Sequence, residues 1–293
     1  MKNKPQITGY HVYAGTPTKE SVRTWQILLQ LASLQNYKNE WGPIKLFANR
    51  ETIDFYKQIG LLQYYDGVEE FDLGLLAGID RRVYFAAGKI LAQLQVPEEE
   101  CIFLDTDLII GRKHTQEWEM NETVSVFHRE TLDAYPDLWD RWNYDGMVND
   151  AFPINAAFTL WRNKDLRRDY AGRAMRFMRN NTFYGIHNPN VLMITAEQRI
   201  LAMFLKEKGI EPNYFIKEIW FSTEKIEDVR WIYDVLGKNY QEIKDDMYHL
   251  WGFKQTLAND PMAAAEFSIT LIELLQKTPE IDVDQILGSL SSL

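Results

Sequence analysis

Cysteine is almost absent from this 293-residue chain, which contains Cys101 alone. A single cysteine excludes an intrachain disulfide, so nothing in the sequence requires an oxidising compartment. Long apolar runs are also missing: no stretch approaches the roughly 20 apolar residues that span a bilayer, and residues 1–6 contain no apolar signal core. These absences predict a cytoplasmic protein, for which a position beside a membrane stays open.

Positive charge is in deficit as well, since 32 Lys and Arg stand against 42 Asp and Glu and the formal net charge is -10. An acidic chain without a basic stripe is a poor partner for a phosphate backbone, so we predict no nucleic-acid partner. One basic cluster stands out at near-helical spacing, formed by Arg167, Arg168, Arg173, Arg176 and Arg179. We interpret it as a solvated helix face; contact with anionic lipid or an acidic substrate is the other interpretation.

What the chain does have is apolar periodicity, with 46% hydrophobic residues. Strand-like and helical segments alternate through the first third, at 9–16, 21–37, 44–48, 51–59, 68–71 and 82–94, and continue with strands at 125–127 and 156–161 and helices at 168–178 and 196–208. This alternation predicts an α/β fold with a mainly parallel sheet flanked by helices, whose ligands gather at the carboxyl ends of strands.

No repeat or low-complexity linker divides the sequence, which favours one continuous domain over residues 1–260. Beyond it, apolar residues at helical spacing predict an amphipathic tail, 261–293, packed on the domain. The tail lacks flanking Lys and Arg, so packing is favoured over an oligomer contact or a lipid-facing stripe. The sequence does not indicate an oligomeric state.

Two carboxylates, Asp105 and Asp107, interrupt the otherwise apolar run 101–110. Ionised carboxylates against apolar surface are costly unless they are paired or bind a cation, and oxygen ligands one residue apart suit a hard divalent ion. Such an ion completes its shell with water and substrate phosphates, so the pattern indicates a phosphorylated ligand. The alternative is that both aspartates end a buried strand and accept backbone N–H groups in a turn.

Segment 248–254 combines His249, Gly252 and Lys254. An imidazole that can bind metal, a glycine that admits close backbone approach and a cation together suit a metal-bound diphosphate. A histidine alone is usually a hydrogen-bonded structural residue. Its combination with the carboxylate pair favours the metal.

With these two motifs the chain resembles the GT-A class of nucleotide-sugar glycosyltransferases, in particular the glycogenin-like and galactosyltransferase-like family. That family pairs Asp-x-Asp with a later His-x-x-Gly-x-x-Lys. Segment 153–158 is similar to the family segment in which an asparagine near the sugar precedes small residues and a strand. Segment 196–201 is similar to the family segment in which an acidic residue followed by glutamine begins a helix. The four segments agree in order over most of residues 7–255. One departure is that Lys254 follows Gly252 by two residues instead of three, and Gln-Thr replaces the family's Pro-Trp.

The resemblance implies a metal-dependent transferase that moves a sugar from a nucleotide-diphosphate donor, such as a UDP-sugar, to a saccharide or glycoconjugate acceptor in surface polysaccharide or glycoconjugate synthesis. It implies that Mn²⁺ or Mg²⁺ is held by Asp105, Asp107 and His249. Nucleotide and diphosphate contacts would come from Tyr13, Ala14, Gly15, Thr16, Asp105, Thr106, Gly252 and Lys254.

Around the transferred sugar the resemblance implies two catalytic residues, Asn155 and Glu197. Glu197 stands where the family commonly has aspartate. It is the candidate base of an inverting reaction, whereas a retaining reaction would use the leaving phosphate as base. The His-x-x-Gly match favours retention.

Two other functions fit parts of the pattern. A haloacid-dehalogenase-like phosphatase would use Asp105 as nucleophile and Asp107 as second carboxylate, but Leu108 stands where that family commonly has glycine. A non-catalytic nucleotide-sugar-binding protein is the third interpretation. An aromatic loop, 135–144, either packs in the core or stacks on the acceptor saccharide.

Overall fold

The structure, a computed structural model, describes residues 6–18, 21–110, 123–130, 142–147, 151–181, 190–215, 219–220, 247–250 and 254–292. None of the helices in these ranges is long and apolar enough to cross a membrane. The chain divides into two compact units. The first comprises Met1–Phe71, Asp105–Trp118 and Val229–Leu293, and the second comprises Asp72–Leu104 and Glu119–Asp228.

Strands and helices are numbered along the described residues. The strands are β1 Thr8–Tyr13, β2 Ile44–Ala48, β3 Gly67–Glu70, β4 Cys101–Leu104, β5 Leu108–Ile110, β6 Val124–Glu130, β7 Ile154–Trp161, β8 Asn213–Tyr214, β9 Ile219–Trp220 and β10 Met247–His249. The helices are α1 Thr24–Glu40, α2 Arg50–Gln58, α3 Ala87–Gln95, α4 Lys164–Asn180, α5 Asn190–Ile194, α6 Ile200–Glu207, α7 Lys254–Asn259, α8 Pro261–Leu275 and α9 Val283–Ser292. Short 3₁₀ turns cover Leu62–Tyr64 and Leu73–Leu76, and a π-helical turn covers Thr195–Arg199.

The first unit contains two pieces of sheet. In one, β1, β2 and β3 run parallel, with Val12 opposite Phe47 and Phe47 opposite Glu69. In the other, β5 and β10 form an antiparallel pair in which Leu108 lies opposite His249. Because parallel strands need crossover connections, helices α1 and α2 follow β1 and β2 in turn.

Helix α1 is the central helix of the first unit, and it packs against β2, β5 and α8. Its residues 27–34 are all buried, which is the pattern of a helix enclosed by its neighbours rather than of a surface helix. Trp25 meets the ring of Phe267 on α8 edge-on at 6.4 Å. Polar side chains within the buried part of α1, Gln30 and Ser33, therefore need partners inside the protein.

In the second unit, β7 runs antiparallel to β4 and to β6, while β8 and β9 run parallel to β6. Every residue of β7 is buried, which explains its nearly continuous apolar sequence. Helix α4 packs against α3 and α6. The predicted α/β class, with a mainly parallel sheet flanked by helices, is confirmed, while β7 and the β5–β10 pair are antiparallel.

Some predicted boundaries differ from the structure. Helix α3 begins at Ala87 instead of residue 82, because Asp80 accepts the Arg82 N–H at 3.1 Å and pairs with its guanidinium at 2.7 Å, which makes a turn. The C-terminal segment forms two helices, α8 and α9, instead of one. The predicted domain boundary at residue 260 stays a prediction.

The predicted solvated face of arginines is wrong for Arg167, which is fully buried on α4. Its Nη2 donates to the carbonyls of Val96 at 2.7 Å and Glu98 at 3.0 Å. Arg173 pairs with Glu207 at 2.7 Å. The buried Arg167 guanidinium joins α4 to the segment between α3 and β4, which the sequence pattern alone did not indicate.

Candidate metal and nucleotide site

The predicted metal ligands meet in the first unit. Asp105 and Asp107 follow the last residue of β4 and lead into β5, while His249 ends β10. Because β5 pairs with β10, the imidazole comes to the carboxylates: its Nε2 lies 3.9 Å from Asp105 Oδ2 and 3.9 Å from Asp107 Oδ2. One ligand atom from each side chain lies within 4.8 Å of the other two. Among the described residues this is the one such group of His, Cys, Asp and Glu.

The donor set fits a divalent cation. Asp107 is buried, at 8% exposure, and a buried carboxylate is costly unless positive charge balances it. The ammonium group of Lys254 already lies 2.6 Å from its Oδ2, and a divalent cation would add to that balance. Two carboxylates and an imidazole together form a donor set that can hold a divalent cation. Asp105 keeps about a third of its side chain exposed, which leaves room for water or phosphate oxygen.

Lys254, the first residue of α7, provides the charge that faces Asp107. Its Nζ lies 2.6 Å from Asp107 Oδ2, and 52% of its side chain is exposed. An ammonium group on a flexible stem reaches either a carboxylate or a nearby phosphate. Gly252, predicted to lie beside the diphosphate, falls outside the described residues.

A cavity of about 120 Å³ adjoins this cluster. Its lining includes Tyr13, Gln30, Tyr56, Thr106, Asp107 and Lys254. Drug-sized ligands occupy pockets of roughly 300–1,000 Å³, so this space matches a single ring or a phosphate group. It brings together three residues predicted from separate parts of the sequence, Tyr13, Thr106 and Lys254.

The segment after β1 is held by Asn49, which precedes α2. Gly15 donates its N–H to Asn49 Oδ1 at 3.1 Å and accepts from Asn49 Nδ2 at 2.8 Å. A Cβ at Gly15 would lie 2.9 Å from the ring of Tyr13, so the tyrosine packs on bare backbone there. Ala14 is half-buried and Thr16 is exposed.

Tyr13 itself is partly buried, and its ring lies 5.9 Å from that of Tyr56 at a tilt. Burial raises the pKa of Tyr13, so the phenol stays neutral at physiological pH. A neutral phenol presents both an aromatic face and a hydrogen-bond donor to the cavity. Tyr56 is a residue that the sequence analysis missed.

The two residues predicted around the sugar lie in the second unit. Asn155, on β7, uses both ends of its amide: Nδ2 donates to Glu130 Oε1 at 2.9 Å, and Oδ1 accepts from the Ala157 N–H at 2.9 Å. Glu197 lies 2.9 Å from Lys89 Nζ, and both side chains are largely buried. The sugar-binding roles of Asn155 and Glu197 stay predictions.

Glu197 was predicted to lie at the start of a helix, and this is wrong. The helical segment already begins at Asn190, and Glu197 lies in its π-helical turn. Single π-helical turns are rare and occur frequently at functional sites. The sequence analysis also missed Lys89, the partner of Glu197. Lys89 could have been found from the sequence because it is a lysine within the apolar stretch that forms the buried side of α3.

In the described part of the aromatic loop, Tyr144 is buried and Trp142 is half-buried. The rings of Trp142 and Tyr144 lie 6.2 Å and 5.6 Å from that of Phe177 on α4. Residues 131–141, including Tyr135 and Trp139, fall outside the described residues. The packing interpretation therefore applies to the two described aromatics.

No family model matches the chain, and no curated protein matches it. Several solved structures are similar to it. The glycosyltransferase GlyE of Streptococcus pneumoniae TIGR4, in its apo form, has 14% sequence identity and a TM-score of 0.46, and the match covers 93% of this chain and 64% of that protein. The chain thus spans less than two thirds of the length of GlyE.

The galactosyltransferase LgtC, in complex with donor and acceptor sugar analogues, has 9% identity and a TM-score of 0.47, with 91% of this chain and 96% of LgtC covered. The inositol-1-phosphate CTP transferase of T. maritima has 10% identity and a TM-score of 0.40, and the match covers 80% of this chain and 96% of that protein. The solved structures similar to this chain thus include transferases of sugars and of nucleotides.

Proposed function

We propose that the protein is a metal-dependent glycosyltransferase that moves a sugar from a nucleoside-diphosphate donor to a hydroxyl group of a saccharide or glycoconjugate acceptor. The observation that carries the proposal is the meeting of Asp105, Asp107 and His249, far apart in the sequence, in one cluster beside a cavity. The donor is a UDP-sugar and the ion is Mn²⁺, as the sequence resemblance implies. The single cysteine supports a cytoplasmic location.

The residues of the first unit divide the work of holding the donor. Asp105, Asp107 and His249 would hold the ion, which when bound offsets the negative charge that grows on the leaving diphosphate. His249 adds a ligand without adding charge. Lys254 supplies a further positive charge for the diphosphate.

In the second unit, Lys89 favours a particular role for Glu197. An ammonium group 2.9 Å away stabilises the carboxylate and opposes proton transfer to it. Glu197 therefore suits binding of a sugar hydroxyl better than the role of a base. This supports a retaining reaction, in which the leaving phosphate accepts the proton of the acceptor.

The first prediction tests the metal site itself. Asp107→Asn should nearly abolish Mn²⁺-dependent binding of UDP while the protein stays folded, because one ligand charge is lost at the ion. Calorimetry with Mn²⁺ and UDP measures this, and wild-type protein should bind more tightly with Mn²⁺ than with Mg²⁺. The control is Asp54→Asn, which removes the same charge from an exposed position on α2. Unchanged affinity in Asp107→Asn would overturn the assignment.

Turnover separates the proposed function from the alternatives. Transfer from a nucleotide sugar in a panel of saccharide acceptors supports the transferase. Formation of a phosphoaspartate from a phosphate ester, without any need for a nucleotide sugar, would instead establish the phosphatase. Tight Mn²⁺-dependent binding of UDP without turnover of any donor would establish a binding protein.

A further inference from the structure

A chain of hydrogen bonds runs through the core of the first unit, and the function proposed above makes no use of it. Its members, in order of contact, are Tyr56, Gln30, Tyr65, His11, Ser33 and the carbonyl oxygen of Leu108. All six residues are buried. A polar chain of this length inside an apolar core is costly unless every member is satisfied, so its arrangement is informative.

The direction of donation follows from the last acceptor. The carbonyl of Leu108 has no proton, so Ser33 donates to it. The oxygen of Ser33 then accepts from Nε2 of His11, 3.1 Å away. A neutral imidazole protonated at Nε2 has a bare Nδ1, which accepts from the Tyr65 hydroxyl at 2.9 Å.

The far end of the chain reaches the cavity. Gln30 Nε2 donates to the Tyr65 oxygen at 2.6 Å, and Tyr56 donates to Gln30 Oε1 at 2.9 Å. Tyr56 and Gln30 both line the cavity. Every link therefore donates in the same direction, from the cavity towards β5. Burial lowers the pKa of His11 to about 3, which keeps the neutral ring that this direction requires.

Leu108 is the point at which this chain touches the metal site. It follows Asp107 directly and lies opposite His249 in the β5–β10 pair. The Asp107 carbonyl accepts from the Leu250 N–H, at 3.3 Å, on the side of β10. Because backbone groups alternate along a strand, the Leu108 carbonyl points to the opposite side, towards α1, where it accepts from the Ser33 hydroxyl.

We propose that Ser33 and His11 are positioning residues of the Asp105, Asp107 and His249 cluster, acting through the carbonyl of Leu108. Ser33 fixes the rotation of the peptide group that follows Leu108, the residue after Asp107, and His11 fixes the rotation of the Ser33 hydroxyl. Since β10 is aligned on β5, the same contact sets the place of His249. This inference rests on the proposed metal site. Of the measurements below, amide exchange of Leu250 in the metal-free protein does not depend on that site.

The test compares two variants on the same helix. Ser33→Ala removes the donor to β5, and Tyr37→Phe removes another buried hydroxyl of α1, which donates to the carbonyl of Ile7 at 2.9 Å. We measure the affinity for Mn²⁺ alone by electron paramagnetic resonance, thermal stability, and amide hydrogen exchange of Leu250 in the metal-free protein.

We expect both variants to lose thermal stability, and only Ser33→Ala to lose affinity for Mn²⁺. Its Mn²⁺ affinity should fall by about tenfold, as when a group that orients a metal ligand is removed. Its Leu250 amide should exchange faster than in wild type, while Tyr37→Phe leaves both quantities unchanged. A third variant, Tyr65→Phe, leaves Ser33 in place and should show a smaller loss of Mn²⁺ affinity.

Two results would overturn the inference: an unchanged Mn²⁺ affinity in Ser33→Ala, or an equal loss in Ser33→Ala and Tyr37→Phe. A wild-type protein that binds no Mn²⁺ would overturn the proposed metal site. In that case faster exchange of Leu250 confined to Ser33→Ala still supports the control of β10 by Ser33, and unchanged exchange refutes it.

Discussion

Lys254 and the proposed divalent ion would compete for the same oxygen atom. Lys254 Nζ lies 2.6 Å from Asp107 Oδ2, the buried atom that the metal would also use. Lys254→Ala should therefore raise the affinity for Mn²⁺ alone by about threefold, the size expected for a half-exposed ion pair. The same change should weaken Mn²⁺-dependent binding of UDP, because a cation at the diphosphate is lost.

Calorimetry with and without UDP separates these two opposite effects. The control is Lys57→Ala, which removes an exposed lysine from α2 and should change neither affinity. If Lys254→Ala weakened binding of Mn²⁺ alone, competition for Asp107 would be disproved.

Glu197 is expected to contribute to turnover more than to donor binding. Its carboxylate is fixed by Lys89 at 2.9 Å, so Glu197→Gln keeps the shape of the side chain and removes the charge that orders the pair. We expect kcat to fall by roughly 10-fold or more with a KM for the donor within about twofold of wild type, the pattern of an interaction made in the transition state.

Glu207→Gln is the matched control for that variant, since Glu207 also pairs with a cation of the second unit, Arg173, but remains exposed. It should leave kcat unchanged. Equal kcat values for Glu197→Gln and wild type would return Glu197 to a structural role, as one half of a buried ion pair.

At the residue scale, the sequence revealed the carboxylate pair and His249, because charged residues beside apolar runs are conspicuous. It did not reveal His11 or Ser33. Their partners come from α1, β1 and the end of β5, and no spacing in a sequence reports which side chains meet across elements. A polar residue within an apolar strand or helix, as with His11, is the signal that was available.

Helix α8 depends on its first residues. Asp260 Oδ1 accepts from the N–H groups of Met262 at 2.9 Å and Ala263 at 3.1 Å, and Pro261 occupies the first helical position. Asp260→Ala should lower the free energy of unfolding by about 1 kcal/mol, the usual loss when a helix N-cap is removed.

Urea denaturation followed by circular dichroism measures this change. Glu280→Ala serves as the control, because it also removes an exposed carboxylate from the C-terminal segment but lies between α8 and α9. Equal stability of Asp260→Ala and Glu280→Ala would show that the cap contributes nothing to the folded protein.

At the element scale, periodicity located the main strands and helices to within a few residues. The exceptions arise where side chains override the local pattern. The Asp80 and Arg82 pair delays α3, and the π-helical turn at Thr195–Arg199 changes the face on which Glu197 lies. Neither a turn held by an ion pair nor a π-helical turn has a period that an apolar pattern would reveal.

The pH dependence of stability is a property of the whole molecule to which His11 makes a definite contribution. Its pKa falls from 6.5 to about 3 on folding because the ring is buried. Between these values the unfolded chain binds a proton that the folded protein does not, so stability decreases as pH decreases. One such group contributes up to about 1.4 kcal/mol per pH unit.

Urea midpoints at pH 6.5, 5.5 and 4.5 test this contribution (an interval set by the pKa values of His11). His11→Asn should be less stable than wild type at pH 6.5, because the hydrogen-bond chain is broken, and should lose stability less steeply towards pH 4.5. Parallel curves for the two proteins would show that His11 is protonated in the folded state.

The first unit is discontinuous along the chain, and this sets an order of events during synthesis. Strand β5 and both aspartates leave the ribosome long before β10 and α8 exist. Until then α1 lacks the partner that covers Trp25, and Asp105 and Asp107 lack their imidazole. Contacts between such distant segments form slowly. A growing chain therefore cannot bring the two aspartates and His249 together until β10 has been made.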